Sequence, residues 1–144
     1  MIRSILFICI HNSARSQMAE AFINDMGMGK FIAESAGLEL GQLDPIAVKA
    51  MAEIGLDLSK NHTKRVVDFL TSGREYDFVV TVCDEANGER CPVFQGSRQL
   101  HWSFPDPSSI LGTDEEKLAQ TRVIRDTIRD RVLDFMLEYA YVNS

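Results

Sequence analysis

The sequence has few cysteines and little positive charge, and it lacks any long hydrophobic run. Its 15 lysines and arginines face 21 aspartates and glutamates, which gives a formal net charge of −6. A chain with this charge balance is a poor candidate for general binding to nucleic acid. No apolar run approaches the roughly 20 residues of a membrane span, and the N-terminal stretch has no secretory pattern. We therefore expect a cytoplasmic protein that has neither nucleic acid nor a membrane as partner.

The 3 cysteines, Cys9, Cys83 and Cys91, are an odd number, which does not fit a framework of structural disulfides. In a cytoplasmic protein such cysteines point instead to metal binding or redox chemistry. A structural zinc site needs four ligands at suitable spacing, and the histidines are scattered through the chain, so we expect no metal site. Taken singly, Cys83 could be a small buried residue and Cys91 an incidental loop thiol.

The order of apolar segments predicts the fold class. The chain has 144 residues, 45% of them hydrophobic, and we expect residues 1–144 to form a single domain with its own core. Residues 4–8, 30–35, 76–83 and 98–102 read as strands, and amphipathic segments between and after them read as helices. This alternation predicts an α/β fold, a doubly wound domain with a four-stranded parallel sheet flanked by helices. Ligands of such sheets bind at the carboxyl ends of the strands.

Several helix ends carry recognisable signals. Gly27 occupies the position of a C′ glycine after the first helix. Asp44 followed by Pro45 is an N-cap with a proline at N1. Thr113 and Glu116 have the spacing of a capping box, which opens the long C-terminal helix. A weaker helix is predicted to end near residue 70.

The stretch from residue 4 to residue 20 joins a buried strand to a helix through a polar loop that begins at Cys9. A thiol becomes a useful nucleophile where positive charge or a helix N-terminus lowers its pKa. Arg15 offers a planar fork for two oxygens of an anion, and the loop amides form a concavity that suits a tetrahedral anion. Asn12 tolerates the positive φ that such loops need. Ser16 has a hydroxyl that could donate to the Cys9 sulfur.

Residues 9–16 (CIHNSARS) resemble the phosphate-binding loop of the low-molecular-weight protein tyrosine phosphatase superfamily. Within that superfamily the chain is most similar to the thioredoxin-coupled arsenate reductases, because residues 80–83, 91–92, 101–107 and 112–117 look like their corresponding blocks in the same order. Two positions depart from the patterns of the superfamily. His11 stands where the loop usually has glycine, and Ser108 stands where the tyrosine phosphatases carry tyrosine.

The resemblance implies a reaction in which Cys9 attacks bound arsenate while Asp106 protonates the departing oxygen. Cys83 would then attack Cys9 and release arsenite, and Cys91 would move the disulfide to the pair Cys83–Cys91, where thioredoxin reduces it. It implies no cofactor, since the electrons come from thioredoxin, although a glutathione-based reductant stays open. The oxyanion would be bound by His11, Asn12, Ser13, Ala14, Arg15 and Ser16.

Three functions remain open, and we rank arsenate reductase first. The alternative is a low-molecular-weight protein tyrosine phosphatase that forms a phosphocysteine on Cys9, for which Arg15 and Asp106 suffice. The third is a catalytically inactive oxyanion-binding or redox-sensing module. Asp106 lies between two prolines, where an aspartate is more often a turn residue than an acid. We further expect a monomer whose ligand is arsenate or a phosphate-like oxyanion.

Overall fold

The structure, a computed structural model, describes residues 2–82 and 94–140. It alternates strands and helices along most of this length, as the pattern of apolar segments predicts. The elements, in chain order, are β1 (Arg3–Cys9), α1 (Arg15–Met26), β2 (Phe31–Gly37), α2 (Pro45–Ala52), α3 (Val66–Thr71), β3 (Phe78–Thr81), β4 (Arg98–His101), a short 3₁₀ helix (Pro107–Ser109) and α4 (Asp114–Ala140).

The four strands form one parallel sheet in the order β2-β1-β3-β4, which confirms the predicted fold class. β1 lies inside the sheet because its residues from Ile5 to Cys9 are apolar and buried on both faces. β4 lies at an edge and is largely exposed. Cys9, the last residue of β1, pairs with Gly37, the last residue of β2. The chain that follows each of these strands therefore meets at one edge of the sheet.

The two faces of the sheet are covered by different helices. Alternate residues of β1 divide between them, because Ile5 and Phe7 join one apolar cluster whereas Leu6 and Ile8 join the other. The larger cluster contains side chains of α1, α2 and α4, and the smaller one contains side chains of α3. Burial on both faces explains why β1 reads as a continuous apolar run.

The predicted strand at residues 76–83 is shorter in the structure, where β3 spans only Phe78–Thr81. The pairing of β3 with β1 begins only at Phe78, because the N–H of Ser4 donates to the side chain of Asp77 at 2.8 Å instead of to a backbone carbonyl. At the other end Val82 is buried beyond the last paired residue, and its N–H still donates to the carbonyl oxygen of Ile8. Cys83 lies outside the described residues.

The predicted capping residues are confirmed, with one correction. Asp44 accepts from the N–H of Ile46, and Thr113 and Glu116 exchange two hydrogen bonds. Gly27 does end α1, but its φ of −72° is right-handed, so the C′ interpretation is wrong. Glycine is required there for a close approach, since a Cβ would lie 2.6 Å from the carbonyl oxygen of Ile23.

No helix among residues 2–82 and 94–140 combines the length and the hydropathy that crossing a bilayer demands.

Candidate active site

Cys9 is the last residue of β1 and lies at the carboxyl edge of the sheet, and the loop that follows it leads into α1 at Arg15. Cys9 is 2% exposed. Its sulfur lies 2.9 Å from Oγ of Ser16 and accepts from the backbone N–H of Asn12 at 3.1 Å. Both groups can stabilise negative charge on sulfur, as the loop sequence predicts for a nucleophilic cysteine. The predicted contact between Ser16 and Cys9 is confirmed.

Asn12 supports the loop with both its backbone and its side chain. Its φ is 56°, the left-handed conformation that an asparagine accepts more readily than most residues, as predicted. Its side chain is fully buried. The amide nitrogen Nδ2 donates to Ser16 Oγ at 2.7 Å, and Oδ1 accepts from the backbone N–H of Lys64 at 3.1 Å. Asn12 therefore ties the loop to the segment that precedes α3.

His11 lies at the rim of the site. Its side chain is 52% exposed, and its Nε2 lies 3.3 Å from a carboxylate oxygen of Glu39. The left-handed backbone conformation falls on Asn12 instead of His11, so the loop accepts a histidine at the position where the resemblance leads one to expect glycine. Two glycines outside the loop, Gly37 and Gly41, pack closely against it. A Cβ at Gly41 would be 2.6 Å from Cβ of His11, and a Cβ at Gly37 would be 2.8 Å from the backbone nitrogen of Asn12.

Arg15 connects the loop to the segment that carries Asp106. Its guanidinium is buried, and Nη1 donates to the carbonyl oxygen of Phe104 at 3.1 Å. Nη2 lies 3.8 Å from Oδ2 of Asp106. The other carboxylate oxygen of Asp106 accepts from both the N–H and the hydroxyl of Ser108, at 2.9 and 2.8 Å. Asp106 is thus held at the site as well as being a turn residue.

Cys9, Arg15 and Asp106 line one small pocket. Most of the predicted site residues line it, whereas Asn12 and Ser16 support it from behind. Cys83 and Cys91, the two predicted relay thiols, lie outside the described residues. The residues that line the pocket are Cys9, His11, Ser13, Ala14, Arg15, Asp106 and Ser108.

A second polar cluster lies between α1 and β2. The hydroxyl of Ser35 donates to Glu20 at 2.8 Å, and the ammonium of Lys64 lies 3.8 Å from the same carboxylate oxygen. Burial raises the pKa of the Glu20 carboxyl, while the nearby Lys64 charge opposes the shift. Lys64 also donates its backbone N–H to Asn12, so this cluster adjoins the loop from the side away from the pocket.

Within the described ranges, no group of three or more histidine, cysteine, aspartate or glutamate side chains is arranged to hold a metal ion.

Sequence reasoning missed Gln17, Asn61 and Lys64 as residues of the site. Gln17 is fully buried on α1 and bonds to Asn12 and Asn61, while Lys64 bonds to Asn12. The sequence carried no signal for Gln17, because on α1 it shares a face with Glu20 and Asn24, and such a polar face is usually exposed. Two of the partners of Gln17, Asn61 and the carbonyl oxygen of His62, come from a distant loop and could not be named from the sequence.

Known proteins resemble this chain in both sequence and structure. Residues 4–142 match the family described as low molecular weight phosphotyrosine protein phosphatase. The arsenate reductase of Bacillus subtilis (strain 168) is 40% identical over 132 residues, which cover 91% of this chain and 93% of that protein. A solved structure of an arsenate reductase in the phosphate binding state has a TM-score of 0.74 at 29% identity and covers 95% of this chain and 98% of its own. A thioredoxin-dependent arsenate reductase from Corynebacterium glutamicum has a TM-score of 0.66 at 25% identity, over 95% of this chain and 63% of that one.

Proposed function

This chain belongs to the low molecular weight phosphotyrosine protein phosphatase family, and we propose that within this family it is an arsenate reductase that uses thioredoxin as its electron donor. The observation that carries the proposal is the position of the Cys9 sulfur. The sulfur contacts the N–H of Asn12 and the hydroxyl of Ser16, and Cys9 lines a small pocket together with Arg15 and Asp106.

Arsenate binds first, in the concavity of the loop. The positive end of the α1 dipole favours an anion there, and the guanidinium of Arg15 can hold two of its oxygens. The remaining oxygens are bound by His11, Ser13, Ala14 and the other loop residues that the resemblance implies. Since the chain carries a net charge of −6, this attraction must be local.

Cys9 is the proposed nucleophile. Its thiolate attacks the arsenic atom and forms a sulfur–arsenic bond, and one oxygen leaves the arsenic atom. That oxygen is a hydroxyl of hydrogen arsenate, so the proton that Asp106 gives to it lets it depart as water. The Arg15 guanidinium holds the Asp106 carboxyl group beside the pocket, where such a transfer is geometrically possible. Arsenic stays in the pentavalent state in this step.

The reduction itself belongs to the other two thiols. Cys83 attacks the sulfur of Cys9, the sulfur–arsenic bond breaks, and its electron pair goes to arsenic, which departs as arsenite. The two electrons come from the sulfurs of Cys9 and Cys83, which become a disulfide. Cys91 then attacks Cys83, which regenerates the Cys9 thiol and leaves a Cys83–Cys91 disulfide for thioredoxin. These two roles rest on the resemblance alone.

No cofactor enters the proposed cycle, and the proposed active form is a monomer that consists of a single domain over residues 1–144. Thioredoxin is the proposed physiological partner, and the thioredoxin dependence of the Corynebacterium glutamicum enzyme supports this choice over a glutathione-based reductant. The cytoplasm, where thioredoxin keeps thiols reduced, is the proposed location.

The test couples arsenate to NADPH consumption through thioredoxin and thioredoxin reductase. The wild-type protein is compared with Cys9→Ser, Cys83→Ser and Cys91→Ser. We expect arsenate-dependent turnover that disappears in all three variants. Absence of turnover in the wild type, together with hydrolysis of p-nitrophenyl phosphate that needs Cys9 but neither Cys83 nor Cys91, would make the protein a phosphatase instead.

A further inference from the structure

A chain of side-chain hydrogen bonds leads from the loop before α3 to the nucleophile. Gln17 is fully buried at its centre. Its Nε2 donates to Oδ1 of Asn12 at 3.0 Å and to the carbonyl oxygen of His62 at 3.1 Å. Its Oε1 accepts from Nδ2 of Asn61 at 2.9 Å. Every polar atom of the Gln17 amide therefore has a partner.

Two backbone groups determine which way these amides face. A carbonyl oxygen can only accept, so the carbonyl of His62 requires the nitrogen of Gln17. A backbone N–H can only donate, so the N–H of Lys64 requires the oxygen of Asn12. The orientations of both amides thus follow from neighbours whose roles are unambiguous.

The direction of the last bond follows from these orientations. With its oxygen toward Lys64, Asn12 presents Nδ2 to the hydroxyl oxygen of Ser16 at 2.7 Å and donates to it. The Ser16 oxygen is then an acceptor from Asn12, and its own hydrogen remains available for the Cys9 sulfur at 2.9 Å. The thiolate form of Cys9 gains most from this bond, because hydrogen bonds to ionised acceptors are the stronger ones.

We propose that Gln17 is a positioning residue that, through Asn12, keeps the hydroxyl hydrogen of Ser16 directed at the sulfur of Cys9. This inference deepens the proposed function and rests on it for its biological meaning. Gln17 does not line the pocket, so it acts through Asn12 and Ser16.

Two substitutions of Asn61, which is only half-buried, distinguish an effect on the orientation of the Gln17 amide from an effect on packing. In Asn61→Asp the shape is kept, but a carboxylate oxygen faces Oε1 of Gln17 and has no hydrogen to donate. That repulsion favours the flipped Gln17 amide, because the bond it then donates to the new carboxylate is charge-assisted and stronger than the neutral bond to the His62 carbonyl that it gives up. The Gln17 oxygen then opposes Oδ1 of Asn12, which favours turning Asn12 as well, at the cost of its bond from the Lys64 N–H. The Ser16 hydroxyl would then donate to Asn12 instead of to Cys9. In Asn61→Ala the shape of the side chain is lost, but the His62 carbonyl and the Lys64 N–H still orient the amides of Gln17 and Asn12.

The measurement is the rate at which iodoacetamide alkylates Cys9, followed by mass spectrometry of the Cys9 peptide over a range of pH. At neutral pH we expect Asn61→Asp to react about tenfold more slowly than the wild type, as for the loss of one hydrogen bond to a charged group. The difference should narrow at high pH, where the thiol is ionised in every variant. Asn61→Ala should stay close to the wild-type rate.

Asn24→Asp is the matched control. Nδ2 of Asn24 donates to the carbonyl oxygen of Ala33, so this variant also loses an amide donor, but outside the chain of bonds that ends at Cys9. Its alkylation rate should equal that of the wild type. Equal rates for Asn61→Asp and the wild type, or an Asn61→Ala rate as low as that of Asn61→Asp, would overturn the inference.

Gln17→Glu provides a second variant, since its carboxylate would face both Asn12 and the His62 carbonyl. We expect the same slow alkylation and a lower kcat for arsenate without a matching rise in KM. If this buried charge prevents folding, the comparison of Asn61→Asp with Asn61→Ala still tests the positioning role.

Alkylation needs no arsenate, so the positioning role and the proposed function can fail separately. If Asn61→Asp is alkylated slowly but the wild type shows no arsenate turnover, only the proposed function is overturned. If the wild type turns over arsenate but Asn61→Asp is alkylated at the wild-type rate, only the positioning role is overturned.

Discussion

The guanidinium of Arg15 lies 3.8 Å from the carboxylate of Asp106, although the first begins α1 and the second follows β4. The parallel sheet explains this contact, because the chain leaves β1 and β4 at the same edge. Arg15 also donates directly to the carbonyl oxygen of Phe104 at 3.1 Å, which fixes the guanidinium to the segment that carries Asp106. Arg15, the proposed anion-binding residue, thus also places the proposed acid at the pocket.

Replacement of Asp106 by asparagine should remove the proton donor and keep the shape. The amide oxygen can still accept from the N–H of Ser108, so the turn should persist. We expect kcat for arsenate to fall about 100-fold or more, as is typical for the loss of a general acid. Phosphate affinity, measured by calorimetry, should change little. An unchanged kcat would remove Asp106 from the mechanism.

Arg15→Lys should weaken anion binding, because an ammonium cannot hold two oxygens in one plane. We expect phosphate to bind about 10- to 100-fold more weakly, in line with the loss of hydrogen bonds between charged groups. Isothermal titration calorimetry with phosphate checks this. Arg122→Lys is the control, since Arg122 pairs with Glu53 on the surface and that variant should bind phosphate normally. Equal affinities in the two variants would contradict the assigned role.

Gly37→Ala should disturb the loop from behind. The new Cβ would lie 2.8 Å from the backbone nitrogen of Asn12 and from the carbonyl oxygen of Glu39, neither of which can move aside by a rotamer change. We expect a loss of about 1–3 kcal/mol in the free energy of unfolding, together with weaker phosphate binding. Chemical denaturation and calorimetry with phosphate measure the two effects.

Gly73→Ala is the comparison for this variant. Gly73 has a φ of +76°, so alanine is strained there, but no atom lies within 4 Å of the new Cβ. It should cost about 1 kcal/mol of stability and leave phosphate affinity unchanged. Normal phosphate binding by Gly37→Ala would show that the loop does not depend on this close approach.

Glu20 should make stability depend on pH. Burial raises the pKa of its carboxyl in the folded state, so the folded protein binds the proton more tightly than the unfolded chain does. Stability should therefore decrease as pH rises from the normal carboxyl pKa through the raised one, where a buried charge forms. In Glu20→Gln this decrease should be absent.

The measurement is thermal unfolding of the wild type and Glu20→Gln at a series of pH values, from about 4, near the ordinary carboxyl pKa, up to neutral pH. The difference in Tm should favour Glu20→Gln at neutral pH and shrink toward acid pH. The amide introduced by Glu20→Gln retains an oxygen that can accept from Ser35, so the comparison isolates the charge. A difference that grows toward acid pH would show that the Lys64 charge outweighs burial.

Local patterns in the sequence predicted much of the molecule. The apolar run of β1, the capping box at Thr113 and the N-cap at Asp44 are properties of neighbouring residues, and each appears in the structure. The loop residues from Cys9 to Ser16 were likewise identifiable, since their spacing is local. The positive φ of Asn12 and the contact of Ser16 with Cys9 agree with those predictions. The predicted roles of Cys83 and Cys91 stay predictions.

What the sequence alone determined is therefore the alternation of strands and helices and the chemical content of one loop, because both follow from residues close together in the chain. The tertiary structure decided which distant groups meet that loop. Gln17, Asn61 and Lys64 complete its hydrogen bonds, and Gly37 gives it room. A buried amide must find partners, but which partners it finds depends on how the sheet brings remote segments together, and no local pattern encodes that.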